Sequence, residues 1–362
     1  MPQPFSVPVT PDWQGLVDCI LHKGTPKRVH HIELFLDWEV QQAIWQRFDF
    51  GGELNSTDPV TIAQRQIAIQ RFLGYDFVRC PVQGLEVQFN YHDTLDTADL
   101  KRSNGRHYMD EHRGPVTTWQ EFEAFAWPQP SQLSTQALEW FDKNLPEDMG
   151  IIASGGFAHF AEYLTWLFGY ESLCYVLYDQ RDLVKAISDK LIALYRVALE
   201  QILQFKCVKV IWGSDDMGFN TGTLISPNDL REFVLPGHKL MAEMSHAAGR
   251  PHILHACGNL TSIMPDLLDD VRIDGKHSFE DNIERVEEVK DTYGQRIALL
   301  GGIDLDFLCR SDEQAVRQRV RRTLDKCLPG GGYCLGTGNS VANYIPLDNY
   351  LAMVDEGRRY TR

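Results

Sequence analysis

Short apolar runs separated by segments with helical periodicity dominate this chain of 362 residues. The runs occupy 29–35, 77–82, 150–154, 208–212, 251–255, 271–277, 296–300 and 332–336. Runs that are apolar nearly throughout are typical of strands buried on both faces of a parallel sheet. Their alternation with helical segments predicts repeated βαβ units. We therefore expect eight parallel strands, each followed by a connection that returns the chain to the same end of the sheet.

Helix start and stop signals support this alternation. Asp12 is a predicted N-cap, and Gly24 is a predicted end of the first helix. Ser226 and Pro227 begin another helix, which is predicted to end at Gly249. The polar segment 83–146 after the second strand is too long for an ordinary connection, and loops of that length are usually functional. The fold class is therefore predicted to be α/β, a single (β/α)8 TIM-barrel domain over residues 1–362. It carries an N-terminal helical extension and a long insertion, 83–146, that we expect to form a lid over the barrel mouth.

Composition narrows the classes of function. With 43% hydrophobic and 23% charged residues, the chain has the composition of an ordinary globular protein. Its formal charge of −15 argues against a nucleic-acid partner, since such partners are bound by clustered Lys and Arg. Eight scattered cysteines suit a reducing compartment. The longest apolar stretch, 157–178, is interrupted by Glu162 and Glu171, so no membrane span or membrane partner is expected. We expect a cytoplasmic location.

Candidate metal ligands follow the fifth apolar run. His255 and Cys257 are two positions apart, so in extended backbone both side chains point to the same side. Cys334, in the eighth run, is the predicted third ligand. One His and two Cys leave the fourth position of tetrahedral zinc open, as in catalytic sites. The alternative is that the cysteines are small core residues and His255 is a hydrogen-bonded core side chain. The residues alone leave both interpretations open.

Further motifs agree in order with a known family. They are GSDDMG at 213–218, ISP at 225–227, GGID at 301–304 and PLDNY at 346–350. Together with the H-x-C pair and Cys334, this pattern resembles the zinc-dependent corrinoid (cobalamin) methyltransferases of the uroporphyrinogen decarboxylase superfamily, from about residue 150 to the end. The resemblance implies zinc, and transfer of a methyl group between a small-molecule donor or thiol acceptor and the cobalt of a separate corrinoid protein. The direction of transfer stays open.

Four polar residues are candidates for chemistry or substrate contact. Asp216 and Glu280 are predicted to act as acid, base or orienting partner of His255, and each could equally be a structural ion-pair member. Glu33 is expected to face the barrel mouth and contact substrate, or else to pair with a nearby Arg or Lys. Asn339 follows the last strand and is expected at the rim of the substrate site.

The cobalamin is expected to come from a partner. Asp110 and His112 match the start of the corrinoid-binding D-x-H-x-x-G motif, but Gly114 falls one position early. A corrinoid carrier protein docking at the barrel mouth is therefore the predicted partner, and a homodimer is compatible with this interpretation. The alternatives are a uroporphyrinogen decarboxylase-like lyase and a non-catalytic zinc-stabilised ligand-binding barrel. Against the lyase, the Arg-rich R-Q-A-G-R loop that grips carboxylates in porphyrinogen enzymes is missing after Arg28, and an anionic substrate would meet an acidic mouth.

Overall fold

A seven-stranded parallel sheet forms the centre of the molecule. The structure is a computed structural model and describes residues 5–52, 54, 56–102 and 105–360. Its strands are β1 Phe77–Cys80, β2 Tyr91–Thr94, β3 Arg106–Met109, β4 Gly150–Ser154, β5 Val208–Ser214, β6 Gly218–Phe219, β7 Gly222–Thr223, β8 His252–His255, β9 Gly275–His277, β10 Ala298–Leu300 and β11 Tyr333–Cys334. The sheet has the order β1-β4-β5-β8-β9-β10-β11, with every neighbouring pair parallel. Two separate hairpins, β2-β3 and β6-β7, are antiparallel.

Helices supply the connections between the parallel strands. They are α1 Trp13–Ile20, α2 Trp38–Arg47, α3 Pro59–Leu73, α4 Trp119–Ala124, α5 Gln136–Asn144, α6 Ala161–Phe168, α7 Tyr170–Asp179, α8 Arg181–Ile202, α9 Pro227–Phe233, α10 Leu235–Ala247, α11 Met264–Asp266, α12 Val286–Tyr293, α13 Leu305–Arg310, α14 Glu313–Cys327 and α15 Leu347–Arg359. A 3₁₀ turn spans Pro130–Gln132, and a π-helical turn spans Leu267–Val271. The predicted helix 227–249 is two helices, because Pro236 has no N–H to continue the ladder of α9. In the part of the chain that the structure describes, no helix combines the length and the apolar character needed to cross a membrane.

The predicted first strand is only partly formed. Segment 29–35 makes one parallel bridge, between His31 and Leu335, and the Ile32 N–H donates to the Leu335 carbonyl at 2.8 Å. Within the described residues no ladder joins this segment to β1, so the sheet has seven strands and is not closed. The segment is more polar than the other runs. Its Glu33 accepts hydrogen bonds from Thr337, which hold it beside the carboxyl end of β11 without a continuous ladder.

The core lies where the apolar runs predict it. Every residue of β4 and of β8 is buried, and Trp212 of β5 is fully enclosed. Because both faces of the parallel sheet are covered, the polar groups on its strands are confined mostly to the strand ends. The two apolar faces therefore place the chemistry at the loops that follow the carboxyl ends of the strands.

The long segment between β1 and β4 has two parts. Helix α5 packs against α3, as an ordinary connecting helix does. The β2-β3 hairpin instead contacts loops that follow strands: Arg102 pairs with Asp37 at 2.5 Å, and Arg106 donates to Asn343 at 2.7 Å. Asn343 follows β11, so the hairpin is held at the carboxyl end of the sheet.

Candidate functional site

Three potential metal ligands converge beyond the ends of β5 and β8. These strands are paired with Ser214 opposite His255. The register places Asp216 two residues beyond one strand and Cys257 two residues beyond the other, so their side chains meet beside the His255 ring. One ligand atom from each lies within 4.8 Å of the other two. The His255 Nε2 is 3.4 Å from the Cys257 Sγ and 3.4 Å from an Asp216 carboxylate oxygen.

This arrangement fits a zinc ion. Ligands at the usual zinc distances of about 2.0 to 2.3 Å in a tetrahedron lie roughly 3.3 to 3.8 Å from one another. The two measured separations of 3.4 Å fall in that range. Imidazole nitrogen, thiolate sulfur and carboxylate oxygen are all zinc donors. Three protein ligands leave a fourth position open, as a catalytic site requires.

A second histidine orients the first. The Nδ1 atoms of His255 and His277 are 2.7 Å apart, because β8 and β9 pair these residues in register. Burial, with the charge of His255, lowers the pKa of His277 well below its ordinary value, so its ring is neutral. A neutral His277 can accept the Nδ1 proton of His255, which leaves the Nε2 lone pair of His255 directed at Cys257 and Asp216. Sequence reasoning missed this role, although a His at the end of an apolar strand is the same signal that identified His255.

The electrostatics of the cluster favour a bound cation. Burial and the negative charge of Asp216 raise the pKa of the Cys257 thiol well above its ordinary value. Burial opposes ionisation of Asp216 too, but its hydrogen bonds to His255 and to the Cys257 N–H, the latter 2.9 Å long, hold its pKa below the ordinary range. A carboxylate next to a thiol that resists ionisation is an arrangement that a divalent cation would stabilise.

Cys334 is not part of this cluster, contrary to the sequence-based prediction. Its fully buried thiol contacts Cys19 of α1, and its charged neighbours are Asp76 and Arg28. Asp76 precedes β1, so this neighbour of Cys334 lies at the amino ends of the strands, and Cys334 is not among the ligands that converge with His255. Cys334 lies in β11, within the predicted apolar run, but the direction of its side chain could not be read from the sequence. Asp216 takes the third place among the potential ligands.

The other predicted site residues lie around the cluster at different distances. Asn339 is in direct contact with it, since its Nδ2 donates to the Cys257 Sγ at 3.2 Å. Glu280 is half-buried and shares a cavity of about 390 Å³ with Cys257, but it is not among the converging ligands. Glu33 is buried and accepts hydrogen bonds from the N–H and hydroxyl of Thr337, at 2.8 and 2.5 Å. Neither expectation for Glu33, an open position at the mouth or pairing with Arg or Lys, describes this contact.

Three residues that sequence reasoning missed line the cavity in front of the cluster. This cavity of about 290 Å³ is bounded by Arg79, His159 and Glu162 together with Asp216, His255, Cys257 and Asn339. The His159 Nδ1 is 2.6 Å from a Glu162 carboxylate oxygen. The buried Asp215 accepts from the N–H of Glu162 at 2.9 Å and holds the start of α6 in place. The signal available in the sequence was a polar residue inside an apolar stretch, Arg79 in 77–82 and the other two in 157–178.

Comparison with known proteins identifies the family. The family model described as uroporphyrinogen decarboxylase (URO-D) matches residues 111–360, more than half of the chain. This protein belongs to the uroporphyrinogen decarboxylase family. The superfamily inferred from the sequence is thereby confirmed. The matched range contains Asp216, His255 and Cys257, and it excludes the β2-β3 hairpin and β1 with Arg79.

Two kinds of enzyme are among the characterised proteins whose sequences resemble this one. A methylated-thiol–coenzyme M methyltransferase of Methanosarcina mazei is 29% identical over 135 residues, covering 37% of this chain and 34% of the relative. A uroporphyrinogen decarboxylase of Cupriavidus pinatubonensis is 35% identical over 72 residues, covering 19% and 20%. The matches thus span about a third and a fifth of those relatives. A methyltransferase structure from Methanosarcina mazei superposes with a TM-score of 0.68 at 16% identity, covering 95% of this chain and 97% of the other, which establishes a shared fold.

Proposed function

We propose that this protein is a zinc-dependent methyltransferase that moves a methyl group between a small molecule and the cobalt of a separate corrinoid protein. The observation that carries the proposal is the convergence of His255, Cys257 and Asp216 within 4.8 Å beside an open cavity. The methyltransferase relative supports it. Bound zinc would supply a Lewis acid that ionises a thiol acceptor or polarises a methyl donor.

The protein's own residues divide the remaining work. His255, Cys257 and Asp216 would hold the metal, which makes Asp216 a ligand instead of the free acid or base expected from the sequence. His277 fixes the orientation of His255. The His159–Glu162 pair lines the same cavity and could take the thiol proton, and Glu280 is the acid or base candidate on the other side of Cys257. In the direction of thiol methylation, the sulfur forms a bond to carbon while the cobalt–carbon bond breaks and cobalt keeps both electrons.

We infer that the corrinoid is presented in trans, at the carboxyl ends of the strands. The β2-β3 hairpin, held to Asp37 and Asn343, would then be a partial lid at the edge of the docking face. We also infer that segment 29–35 occupies the place of an eighth strand in one domain, since its bridge to Leu335 places it beside the last strand.

Metal analysis combined with methyl transfer tests the proposal. The purified protein is analysed for zinc by mass spectrometry. It is then assayed with cob(I)alamin and a panel of methyl donors, and in the reverse direction with methylcobalamin and thiols, by following the corrinoid absorbance. We expect about one zinc per chain and metal-dependent transfer in at least one direction. Cys257→Ser should lose both zinc and transfer.

The matched control is Cys174→Ser, because Cys174 is an exposed cysteine on α7 outside the cluster. This variant should retain zinc and activity. Zinc bound without transfer in either direction, even after addition of corrinoid carrier proteins, would favour a non-catalytic zinc-stabilised barrel. Release of carbon dioxide from a porphyrinogen would favour the lyase. The 72-residue match to a uroporphyrinogen decarboxylase is the reason to test for this activity.

A further inference from the structure

Arg79 is a charged residue inside an otherwise apolar strand. It is the third residue of β1, and its neighbours Val78 and Cys80 are buried. Its Nε donates to the Ser154 hydroxyl at 2.5 Å, and its guanidinium lies 5.3 Å from the centre of the Phe35 ring. Among the described residues, no carboxylate forms an ion pair with it. A half-buried arginine without an anionic partner is costly, so its position inside an apolar strand points to a ligand.

Arg250 is an arginine without a carboxylate partner whose guanidinium nitrogens all have hydrogen-bond acceptors. Its Nε donates to the Val208 carbonyl at 2.7 Å, and its two terminal nitrogens donate to the Ala248 and Phe205 carbonyls at 3.0 Å each. All three guanidinium nitrogens therefore have protein acceptors. In Arg79 only Nε has such a bond among the described residues, which leaves the two terminal nitrogens for another acceptor.

The free end of Arg79 lies at the candidate active site. Arg79 lines the cavity of about 290 Å³ that His255 and Cys257 also line, and it lines a second cavity of about 330 Å³. Gly155 keeps space for it: a Cβ at that position would lie 2.6 Å from the Arg79 Nη2. The glycine has a φ of +76°, which other residues rarely adopt. The backbone thus leaves the guanidinium accessible from the cavity.

The carboxylates that share the cavity already have partners. Glu162 contacts His159, and Asp216 contacts His255 and the Cys257 N–H. Burial lowers the pKa of Arg79 to about 10, so it remains a cation at neutral pH while lacking full hydration. An incoming anion would replace the missing hydration and use the two free nitrogens as a fork.

We propose that Arg79 binds a single oxyanion, a carboxylate, sulfonate or phosphate, on the small molecule that reacts at the His255–Cys257–Asp216 cluster. Which group of this molecule reacts at the cluster rests on the proposed function, but the binding of its oxyanion by Arg79 does not. A cavity of 290 Å³ lies at the small end of the range for ligand pockets, so the molecule is small. One cationic fork selects one anionic group, which separates this substrate class from the polycarboxylates that an Arg-rich loop would grip.

Matched ligands test the proposal on the purified, zinc-supplemented full chain. Calorimetry compares four thiols of similar size: 3-mercaptopropionate, 2-mercaptoethanesulfonate, neutral 2-mercaptoethanol and cationic cysteamine. A charge-assisted bidentate contact should make the anionic thiols bind about 30-fold more tightly than 2-mercaptoethanol. In Arg79→Met this preference should fall to about 3-fold or less, and in Arg79→Lys it should be intermediate, because lysine keeps the charge and loses the fork.

Arg250→Met is the control, since it makes the same change in net charge at a position outside the cavity and should leave the preference intact. A second arm omits the thiol: propionate, ethanesulfonate and ethyl phosphate should each raise the melting temperature of the wild type and not of Arg79→Met, with ethanol inactive in both. This arm also tells which oxyanion is preferred.

Equal affinity of the wild type for all four thiols, with no shift from the thiol-free anions, would overturn the proposal without requiring any variant to fold. Anion preference that persists in Arg79→Met would also overturn it. Anion binding through Arg79 in a protein that transfers no methyl group would refute only the proposed function. Methyl transfer without anion selectivity would refute only the Arg79 site.

Discussion

The side-chain amide of Asn339 donates to the sulfur of Cys257 at 3.2 Å. Asn339 lies on the loop after β11, and Cys257 follows β8, so this hydrogen bond joins the last strand to the candidate metal cluster. The backbone carbonyl of Asn339 lies 3.1 Å from the Thr337 hydroxyl. Both the backbone and the side chain of Asn339 thus contact neighbouring groups, which holds the loop in place. A donor directed at a thiolate stabilises the charged form of the sulfur.

Substitution of Asn339 should therefore change metal affinity. Removing a partner that hydrogen-bonds to a metal ligand typically weakens binding about 10- to 100-fold, and we expect Asn339→Ala to fall at the low end of that range. Asn339→Cys should instead tighten zinc binding, because it places a further thiolate within reach of the cluster. Competition titration with a chromophoric zinc chelator measures both effects. Unchanged affinity in both variants would mean that the contact with Cys257 has no influence on the metal.

Asp216 and Cys334 can be compared directly as metal ligands. We expect Asp216→Asn to weaken zinc binding strongly, because it replaces an anionic ligand by a neutral amide. Cys334→Ala should keep one zinc per chain and lower the free energy of unfolding by about 1 to 2 kcal/mol, the usual cost of a small cavity in a core. Metal analysis and urea denaturation of each variant provide the two measurements. Loss of zinc from Cys334→Ala would restore the ligand set inferred from the sequence.

His277 should act through His255 and not through contact with substrate. In His277→Phe the His255 Nδ1 loses its hydrogen-bond acceptor, so the orientation of the imidazole is no longer fixed. We expect zinc affinity to fall about 10- to 100-fold. His277→Gln should recover part of the loss, since the amide oxygen can accept the Nδ1 proton. Equal zinc affinity in both variants and the wild type would assign His277 a packing role against Trp212 alone.

The pattern of apolar residues predicted the sheet well because buried parallel strands are continuous apolar runs, and such runs are visible without any tertiary information. Runs 150–154 and 251–255 overlap β4 and β8 almost residue for residue. Segment 29–35 forms one bridge instead of a ladder, because it is more polar than the other runs and its Glu33 is held by Thr337. The family membership followed from motif order, which local sequence does carry.

The composition of the cluster was less accessible. His255 and Cys257 could be paired because the two-residue period of extended backbone relates their side chains. Asp216 enters through the register between β5 and β8, and no pattern within either strand specifies that register. The position of Cys334 outside the cluster could not be predicted either, because a strand of two residues gives no reliable alternation. Arg79 was overlooked because a single charged residue in a strand is conspicuous only when its lack of an ionic partner is known.

Glu33 should make the protein less stable as pH rises. Burial raises its pKa to about 8 from an ordinary 4.5, against the effect of its hydrogen bonds from Thr337. Because the folded pKa exceeds the unfolded pKa, stabilisation is complete below about pH 4.5 and is lost as pH approaches 8. Glu33→Gln mimics the protonated acid and removes this dependence. We expect the variant to gain on the order of 2 to 4 kcal/mol relative to wild type between pH 5 and pH 8. Urea denaturation across this interval measures the gain, and a parallel pH profile in the two proteins would contradict it.

The β2-β3 hairpin should depend on Asn343 for its position. The Asn343 Oδ1 accepts from Arg106 at 2.7 Å, and its Nδ2 donates to Asp96 and to the Leu100 carbonyl, each at 2.7 Å. One buried amide thus joins β3, and the segment that connects β2 to β3, to the loop after β11. Replacing it with alanine removes one donor to the Asp96 carboxylate and one acceptor of the Arg106 guanidinium. We expect Asn343→Ala to make opening of the hairpin easier by about 2 to 3 kcal/mol.

Hydrogen exchange over residues 91–109 measures this opening directly, and exchange in β4 and β8 reports whether the rest of the sheet is affected. The matched control is Asn349→Ala, because Asn349 is also a buried amide and its Nδ2 donates to the Leu308 and Ser311 carbonyls, away from the hairpin. The control should leave exchange in 91–109 unchanged. If the hairpin covers the mouth as a lid, Asn343→Ala should also increase the rate at which free methylcobalamin reacts, since a displaced hairpin exposes the cavity before Cys257. Faster exchange without a faster reaction would show that Asn343 anchors the hairpin, and it would contradict the hypothesis that the hairpin controls access to the cavity.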